Sequence, residues 1–342
     1  MPPGGAGNGL TSPLGKVYSM LVDAFSRRFT YLRLSITESC NFRCTYCLPD
    51  GNDCNSRSAE ITLPEIKRLV TAFAKLGTKK VRITGGEPAL RKDLCEIIAT
   101  CKAVPGIEKV ALTTNGYRLK RDAEALKAAG LDAINVSIDS LDAATFHLVT
   151  GQDKLAEILE GIEYAQAVGI KQVKINTVLL RQHNALALPD FQQFVKDRPV
   201  SLRFIELMRT NDNTAFYQKQ HLSGSSIQQT LLEQGWQLQA KGISDGPALE
   251  YSHADYQGKI GLIMPYSKDF CADCNRLRVS SQAKLFLCLF TEQHQNLRHL
   301  LASDDPEPVM QFLQAAIVTK AETHYLLDDN SGSTRHLAMI GG

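Results

Sequence analysis

Short apolar runs alternate with helical patterns from residue 31 onward, at roughly 30 residues per repeat, as parallel βα units require. The clearest helix follows Thr62, has Pro64 and Glu65 in its first turn, and stops at Gly77. Six apolar runs are predicted as strands: Tyr31–Thr37, Lys80–Thr84, Lys109–Thr113, Ala133–Ile138, Gln172–Leu179 and Ser201–Leu207.

Six βα units are too few for a closed eight-stranded barrel, so either a partial barrel or a doubly wound sheet fits the count. After Met208 the rhythm breaks into a polar stretch and then a mixed region, and we place a domain boundary near residue 210. Residues 1–22 contain no apolar signal-peptide core and are predicted to be a flexible lead-in.

The composition is typical of a globular chain. Lys and Arg number 38 against 36 Asp and Glu, for a net charge of +2, and 44% of residues are hydrophobic. This balance argues against a broad nucleic-acid-binding surface. No apolar run approaches the roughly 18 residues that a membrane span needs. We therefore expect a cytoplasmic protein that binds neither nucleic acid nor membrane.

Distinctive polar residues lie at the carboxyl ends of the predicted strands. Active sites of parallel α/β folds lie at that edge, so we expect these residues to share one site. In strand order they are Cys40–Cys47, Gly85–Pro88, Thr113–Asn115, Ser137 with Asp139, Lys174, and Glu206 with Met208.

Six of the nine cysteines form two tight groups. Without an export signal, we expect the thiols to be reduced. Each group supplies three thiolates, whereas structural zinc sites and simple ferredoxin clusters close with four ligands. An open fourth position indicates a metal centre that binds a further molecule, although a zinc-stabilised loop or packing thiols remain alternatives. The groups are Cys40, Cys44 and Cys47, and Cys271, Cys274 and Cys288; Cys54, Cys95 and Cys101 are interpreted as bystanders.

The first group reads CNFRCTYC and resembles the CxxxCxxC motif of radical S-adenosylmethionine (SAM) enzymes, with GGEP following at residues 85–88. The second group lies in FCADCNRLRVSS, and the chain also contains INVSIDSLD, LRFIELM and a terminal Gly341-Gly342. Together these motifs resemble the GTP 3′,8-cyclase (MoaA-type) family of molybdenum cofactor biosynthesis. The resemblance runs from about Phe29 to Gly342, with no departure at a motif position.

The resemblance implies an α/β fold, an incomplete (βα)6 TIM-like barrel over residues 23–210. A C-terminal α+β extension over 211–342 would carry a second iron–sulfur cluster and the Gly-Gly tail, which is implied to reach the active site. Each cysteine group would hold a [4Fe–4S] cluster, the first binding SAM and the second binding the guanine of GTP. The SAM contacts that the resemblance implies are Tyr46, Gly86, Ser137 and Met208.

A triphosphate needs several fixed cations with planar donor groups. The resemblance implies that Arg33, Arg276 and Arg278 are catalytic, with Lys80 nearby and Asn115 as a weaker candidate. The implied GTP contacts are Arg33, Arg82, Thr113, Lys174, Arg203, Arg276, Leu277 and Arg278.

The implied reaction is cyclisation of GTP to (8S)-3′,8-cyclo-7,8-dihydro-GTP. A 5′-deoxyadenosyl radical removes the ribose 3′ hydrogen, and C3′ then attacks guanine C8. The implied partners are GTP, SAM and an electron donor of the flavodoxin or ferredoxin type; a homodimer is left open. Three other functions remain: a radical SAM enzyme acting on a peptide, an iron–sulfur electron carrier or sensor, and a zinc-dependent nucleic-acid module. The arginines that follow Cys274 favour a phosphorylated substrate over a peptide.

Overall fold

The computed structural model describes residues 10–11, 17–51, 59–242, 246–290, 294–326, 331–332 and 340. Its strands are β1 Leu10–Thr11, β2 Val17–Tyr18, β3 Tyr31–Ser35, β4 Lys80–Thr84, β5 Lys109–Thr114, β6 Ala133–Ser137, β7 Gln172–Leu179, β8 Ser201–Glu206, β9 Gln237–Leu238, β10 Leu249–Ser252, β11 Lys259–Ile263, β12 Arg276–Val279, β13 Lys284–Phe286 and β14 Gln295–Asn296. Its α-helices are α1 Leu63–Lys75, α2 Leu94–Ala103, α3 Leu119–Ala128, α4 Ala143–Thr150, α5 Leu155–Ala167, α6 Leu188–Lys196, α7 Thr214–Gln220, α8 Ser225–Glu233 and α9 Glu307–Ile317. Short 3-10 helices span Pro88–Leu90 and Arg298–Ala302.

Strands β3 to β8 pair in parallel and in chain order. A doubly wound sheet would reverse this order at a switch point, so that alternative is wrong. Interior residues from strands at both ends of the order line one cavity, which requires the sheet to curve into a partial barrel. The predicted (βα)6 barrel is confirmed, and the six predicted strands are all present with ends that differ by at most two residues.

The residues after 210 widen the same sheet. Strand β11 adds in parallel to β8, and β12 adds in parallel to β3. Antiparallel strands β10 and β9 continue one side, and β13 and β14 continue the other. The division of the chain near residue 210 stays a prediction, and backbone hydrogen bonds join strands from both sides of it.

The apolar core lies between the sheet and the helices. On β3, Leu32 and Leu34 share one buried cluster with Ile66 and Phe73 of α1, whereas Arg33, between them, faces the cavity inside the barrel. Because side chains alternate between the two faces of a strand, the same strands supply the core and the polar interior.

Helix α1 begins and ends where the sequence predicts. Thr62 Oγ1 accepts a hydrogen bond from Glu65 N at 3.4 Å, and Glu65 Oε2 accepts one from Thr62 N at 2.8 Å, which together form a capping box. Gly77 follows the helix with φ +91°, a left-handed conformation that favours glycine.

The folded part begins earlier than residue 23. Leu21 is buried in the main core, and its N–H donates to the Leu76 carbonyl at 3.2 Å. The predicted lead-in over residues 1–22 therefore includes, near its end, a residue that packs in the main core, and the domain division at residue 23 stays a prediction.

Two of the bystander cysteines have the packing role predicted for them. Cys101 is fully buried in α2, and Cys95 packs partly against the same core. Cys54 lies outside the described residues. Within the described part of the chain, no helix has the length and apolar character needed to cross a membrane.

We expect Thr62→Ala to lower the free energy of unfolding by about 1 kcal/mol, because it removes the side-chain acceptor at the start of α1. Thr62→Ser keeps the hydroxyl and should remain within a few tenths of the parent value. Urea denaturation followed by circular dichroism measures both. Equal losses for Ala and Ser would show that the hydroxyl does not stabilise the helix.

Candidate active site

The sequence-predicted site residues converge on one cavity at the carboxyl end of the barrel. All six cysteines of the two groups line it, together with Tyr46, Gly86, Ser137, Met208, Arg33, Arg82, Thr113, Lys174, Arg203, Arg276, Arg278, Lys80 and Asn115. Leu277 is different, because its side chain is buried in the apolar core on the opposite face of β12. Strand alternation places Arg276 and Arg278 towards the cavity and Leu277 away from it.

The first cysteine loop is held by backbone hydrogen bonds. The N–H groups of Cys47 and Leu48 both donate to the Cys44 carbonyl at 3.0 Å, which forms a tight turn. Arg43 N and Thr45 N donate to carbonyls at the end of α4, at 3.0 and 2.9 Å. Backbone bonds therefore fix the loop that carries the three thiols.

Gly85 and Gly86 are required by a close approach to that loop. A Cβ on Gly85 would lie 2.5 Å from the Thr37 carbonyl oxygen, and one on Gly86 would lie 2.3 Å from that of Ser39. Gly86 N donates to Thr37 O at 2.9 Å, and Glu87 N donates to Ser39 O at 2.7 Å. In this structure the two glycines therefore position the segment that leads into Cys40.

Glu87 joins the ends of β4 and β5. It is fully buried, and its carboxylate accepts hydrogen bonds from Ala89 N at 2.9 Å, Thr114 Oγ1 at 2.7 Å and Asn115 N at 2.6 Å. Burial raises its pKa to about 7, against the lowering effect of these donors. The Asn115 side chain donates onward to Asn41 Oδ1 at 2.9 Å, so it supports the cysteine loop as well as lining the cavity.

Tyr46 has a protein partner within the cavity wall. Its hydroxyl donates to Asp139 Oδ2 at 3.0 Å, and Asp139 Oδ1 accepts from Val178 N at 2.9 Å. Burial raises the pKa of Asp139 to about 6. The pair ties the cysteine loop to the ends of β6 and β7.

The two cysteine groups lie in opposite electrostatic surroundings. Burial raises the pKa of Cys40 to about 11 and that of Cys44 well above its usual range, with Glu87 and Asp139 respectively adding to the effect. Burial also acts on Cys274, but the cations Arg276 and Lys320 reverse it and lower the pKa of that thiol.

These donor sets fit three-cysteine iron–sulfur clusters. The six cysteines are reduced and half-buried, and all line the cavity. A bound cluster would supply the positive charge that stabilises thiolates in the buried first group. Among the residues that the structure describes, no three His, Cys, Asp or Glu side chains gather around a single-ion site.

Cations stand in rows across neighbouring strands of the cavity wall. Strand register puts Arg278 beside Arg33 and Arg33 beside Arg82. Two residues earlier on the same strands, Tyr31 lies between Arg276 and Lys80. Burial lowers the pKa of Arg33, and the neighbouring Arg278 lowers it further. The wall is thus a patch of crowded positive charge in a water-poor interior.

Tyr31 is the acidic partner inside this patch. Arg82 Nε donates to its hydroxyl, and Lys80 Nζ lies 4.6 Å from the centre of its ring. Burial by itself would raise the pKa of Tyr31, but Arg82, Arg33 and the other cations lower it to about 7. Arg82 Nη1 also donates to Thr113 Oγ1 at 3.1 Å, so its guanidinium is held in place on both sides.

Lys174 and Arg203 form the opposite wall and share one carboxylate. Glu250 Oε1 accepts from Arg203 Nε at 3.2 Å and lies 3.5 Å from Lys174 Nζ. Despite its burial, these two cations lower the pKa of Glu250 to about 2. Burial, followed by the nearby Arg203, lowers the pKa of Lys174 to about 8.

Sequence reasoning missed several members of the site. Tyr31, Asn135 and Asn176 line the cavity, and each stands two residues from a predicted site residue on the same strand. The strand period of two could therefore have found them. Glu250 lies 47 residues from Arg203 in sequence, and no local signal indicates their contact.

The C-terminal segment also approaches the wall that carries Arg278. Arg278 Nη1 donates to the Ile340 carbonyl at 3.3 Å, and Ile340 is buried against Phe286, Phe290 and Leu326. Gly341 and Gly342 lie outside the described residues, so the implied role of the tail stays a prediction.

Comparison with known proteins agrees with this geometry. Residues 34–195 match the family model of the Radical SAM superfamily, and residues 200–326 match that of Molybdenum Cofactor Synthesis C. The structure of Streptococcus suis SuiB bound to S-adenosylmethionine aligns with a TM-score of 0.58 and 14% identity, over 84% of this chain and 68% of that one. That similarity shows a shared fold.

Closer relatives carry a specific name. A GTP 3′,8-cyclase from Tolumonas auensis is 55% identical over 96% of this chain and 98% of its own. Another, from Yersinia pestis, is 54% identical over 94% of this chain and 99% of its own. With such identity over nearly its whole length, the chain belongs to the GTP 3′,8-cyclase family.

Proposed function

We propose that this chain cyclises GTP to (8S)-3′,8-cyclo-7,8-dihydro-GTP, the first step in making molybdopterin. The observation that carries the proposal is that two three-cysteine groups line one cavity whose walls are rich in fixed cations. An electron carrier does not need a cavity lined with fixed cations, and the balanced charge of the chain disfavours a nucleic-acid module. A triphosphate matches several fixed cations with planar donor groups better than a peptide does.

The first cysteine group would hold the [4Fe–4S] cluster that binds SAM. When bound, this cluster supplies the electron that cleaves SAM into methionine and a 5′-deoxyadenosyl radical. Residues from four strand ends would hold SAM beside it: Tyr46, Gly86, Ser137 and Met208. All four line the cavity, where the barrel shields a reactive species from water, and Met208 packs in the apolar cluster that also includes Cys288.

The second cysteine group would hold a cluster whose open iron binds guanine, and the rows of cations would bind the triphosphate. Arg33, Arg276 and Arg278 lie on two adjacent strands, so they can contact the nucleotide together. Holding the base at one end and the phosphates along the wall presents the ribose to the deoxyadenosyl radical, which is a positioning task. Lys174, Arg203, Arg82 and Thr113 would complete the phosphate contacts, and Leu277 could contribute only through its backbone.

The reaction also needs partners outside the chain. We propose an electron donor of the flavodoxin or ferredoxin type, because both SAM cleavage and the final reduction of the product radical consume electrons. The proposal includes a cytoplasmic location and leaves a homodimer open.

We expect Cys271→Ala to remove the second cluster and spare the first. Iron should fall from about eight to about four per chain, and the electron paramagnetic resonance signal that responds to GTP should disappear. The signal that responds to SAM should remain. Cys95→Ala is the matched control and should keep both signals. A GTP-sensitive signal in Cys271→Ala would contradict the assignment of the second group.

Gly86→Ala should displace the loop before Cys40, because the added methyl would meet the backbone of Ser39. We expect the first cluster to be lost, with iron near four per chain and the GTP-sensitive signal retained. Gly246→Ala is the control, since a Cβ there meets no atom within 4 Å. Full iron content in Gly86→Ala would show that the loop tolerates the methyl group.

Affinity for GTP should fall as pH rises through about 8. Burial is the main cause that lowers the pKa values of Lys80 and Lys174 to about 8. Both side chains are therefore charged below that pH and neutral above it. Loss of these charges should weaken GTP binding roughly tenfold or more between pH 7 and pH 9.5. Anaerobic calorimetry measures the dissociation constant, and Lys174→Arg should flatten the profile. A constant affinity in the parent protein would exclude these lysines as phosphate ligands.

A further inference from the structure

The residues just before the barrel contain a buried ion pair that the proposed reaction does not use. Arg27 Nε donates to Asp23 Oδ2 at 2.6 Å, and both side chains are almost completely buried. Asp23 Oδ1 also accepts from Phe25 N at 3.0 Å and Arg27 N at 2.9 Å, which closes a tight turn around the carboxylate. This turn aims the Arg27 guanidinium into the protein, where it lines the cavity.

The remaining donors of Arg27 bind three backbone carbonyls from distant parts of the chain. Nη1 donates to the carbonyl of Cys271 at 3.1 Å and to that of Glu322. Nη2 donates to the carbonyl of Ala321 at 2.7 Å. The Cys271 carbonyl also accepts from Cys274 N at 3.1 Å, so Arg27 fastens the turn that brings those two cysteines together.

Lys320 makes the matching contact on the other cysteine segment. Its ammonium group donates to the carbonyl of Leu287, the residue before Cys288. The side chain is buried, with Nζ 5.6 Å from the ring centre of Phe29. Since Arg27 binds the two carbonyls that follow Lys320, the two cations are linked through one short stretch of backbone.

We propose that Asp23, Arg27 and Lys320, here called the cysteine clamp, hold together the two segments that carry the second cysteine group and so position the second cluster. The inference rests on the proposed role of that group. The clamp residues are positioning residues, because their contacts are to backbone carbonyls and to each other rather than to thiols. Their two positive charges also lie beside the thiols and would favour the more negative, reduced state of the cluster.

Loss of the cysteine clamp should destabilise the segments that carry the second cysteine group. Without Arg27, the carbonyls of Ala321 and Glu322 lose a buried donor, and the Cys271 turn keeps only its internal bond. A buried acceptor left without a partner is strongly unfavourable, so the segment should rearrange. The first cysteine group is held by α4 and the GGEP segment instead, and it should not respond.

The test compares iron content and cluster spectra of the anaerobically reconstituted full chain. We expect Arg27→Gln to bind about four iron per chain instead of about eight, to keep the SAM-sensitive signal and to lose the GTP-sensitive one. Arg28→Gln is the matched control, since Arg28 is the exposed neighbour, and it should keep both signals. Asp23→Asn retains an oxygen for the turn but not the charge, and should lose less iron than Arg27→Gln.

A second measurement separates the charge of the clamp from its contacts. Lys320→Met should lower the midpoint potential of the GTP-sensitive cluster, whereas Lys320→Arg keeps the charge and should leave it near the parent value. Full iron and unchanged potentials in Arg27→Gln and Lys320→Met would overturn the clamp while leaving the proposed function intact. Equal loss of both clusters in Arg27→Gln would also overturn it, because the ion pair would then support the whole fold. A parent chain with only one cluster would overturn the proposed function as well.

Discussion

The interior of this barrel buries positive charge that the protein itself only partly neutralises. Arg33, Arg82 and Arg278 occupy neighbouring strands in register, and burial, followed by neighbouring arginines, lowers the pKa values of Arg33 and Arg278. The fold tolerates this because its apolar core lies outside the barrel, between the sheet and the helices. Tyr31 and Glu250 provide local acidic partners, and a bound triphosphate would provide the rest. Burial first, and then the neighbouring cations, lower the pKa values of Lys80 and Lys174.

The two cysteine groups meet different chemical demands within one cavity. The first is held by backbone hydrogen bonds, and burial, with nearby carboxylates adding to it, raises the pKa values of Cys40 and Cys44. The second has cations beside it, which lower the pKa of Cys274. These different electrostatic surroundings match the proposal that the first group serves a sulfonium compound and the second a nucleotide carrying a triphosphate.

The six parallel strands, the capped helix and the shared strand-end site could be predicted because each depends on local spacing. Alternation along β3 places Arg33 on the face opposite to Leu32 and Leu34, which is the inner face once those leucines pack against the helices. Leu277 shows the limit of reasoning from motif position, since its neighbours face the cavity while its own side chain packs in the core. The close approach of Gly86 to Ser39 likewise does not follow from the motif. It depends on how the loops after β3 and β4 pack against each other, which the tertiary structure decides.

The sequence by itself determined the βα repeat and the two cysteine groups, and its motifs indicated the family and, through that resemblance, the barrel, because periodicity and motifs lie in neighbouring residues. Only the tertiary structure decided that β11 and β12 complete the two sides of the parallel sheet, and that Glu250 neutralises Arg203. It likewise decided that Arg27 binds Cys271, across 244 residues of chain. Contacts of this kind depend on how the sheet curves and which carbonyls are left unpaired, and no local pattern encodes either.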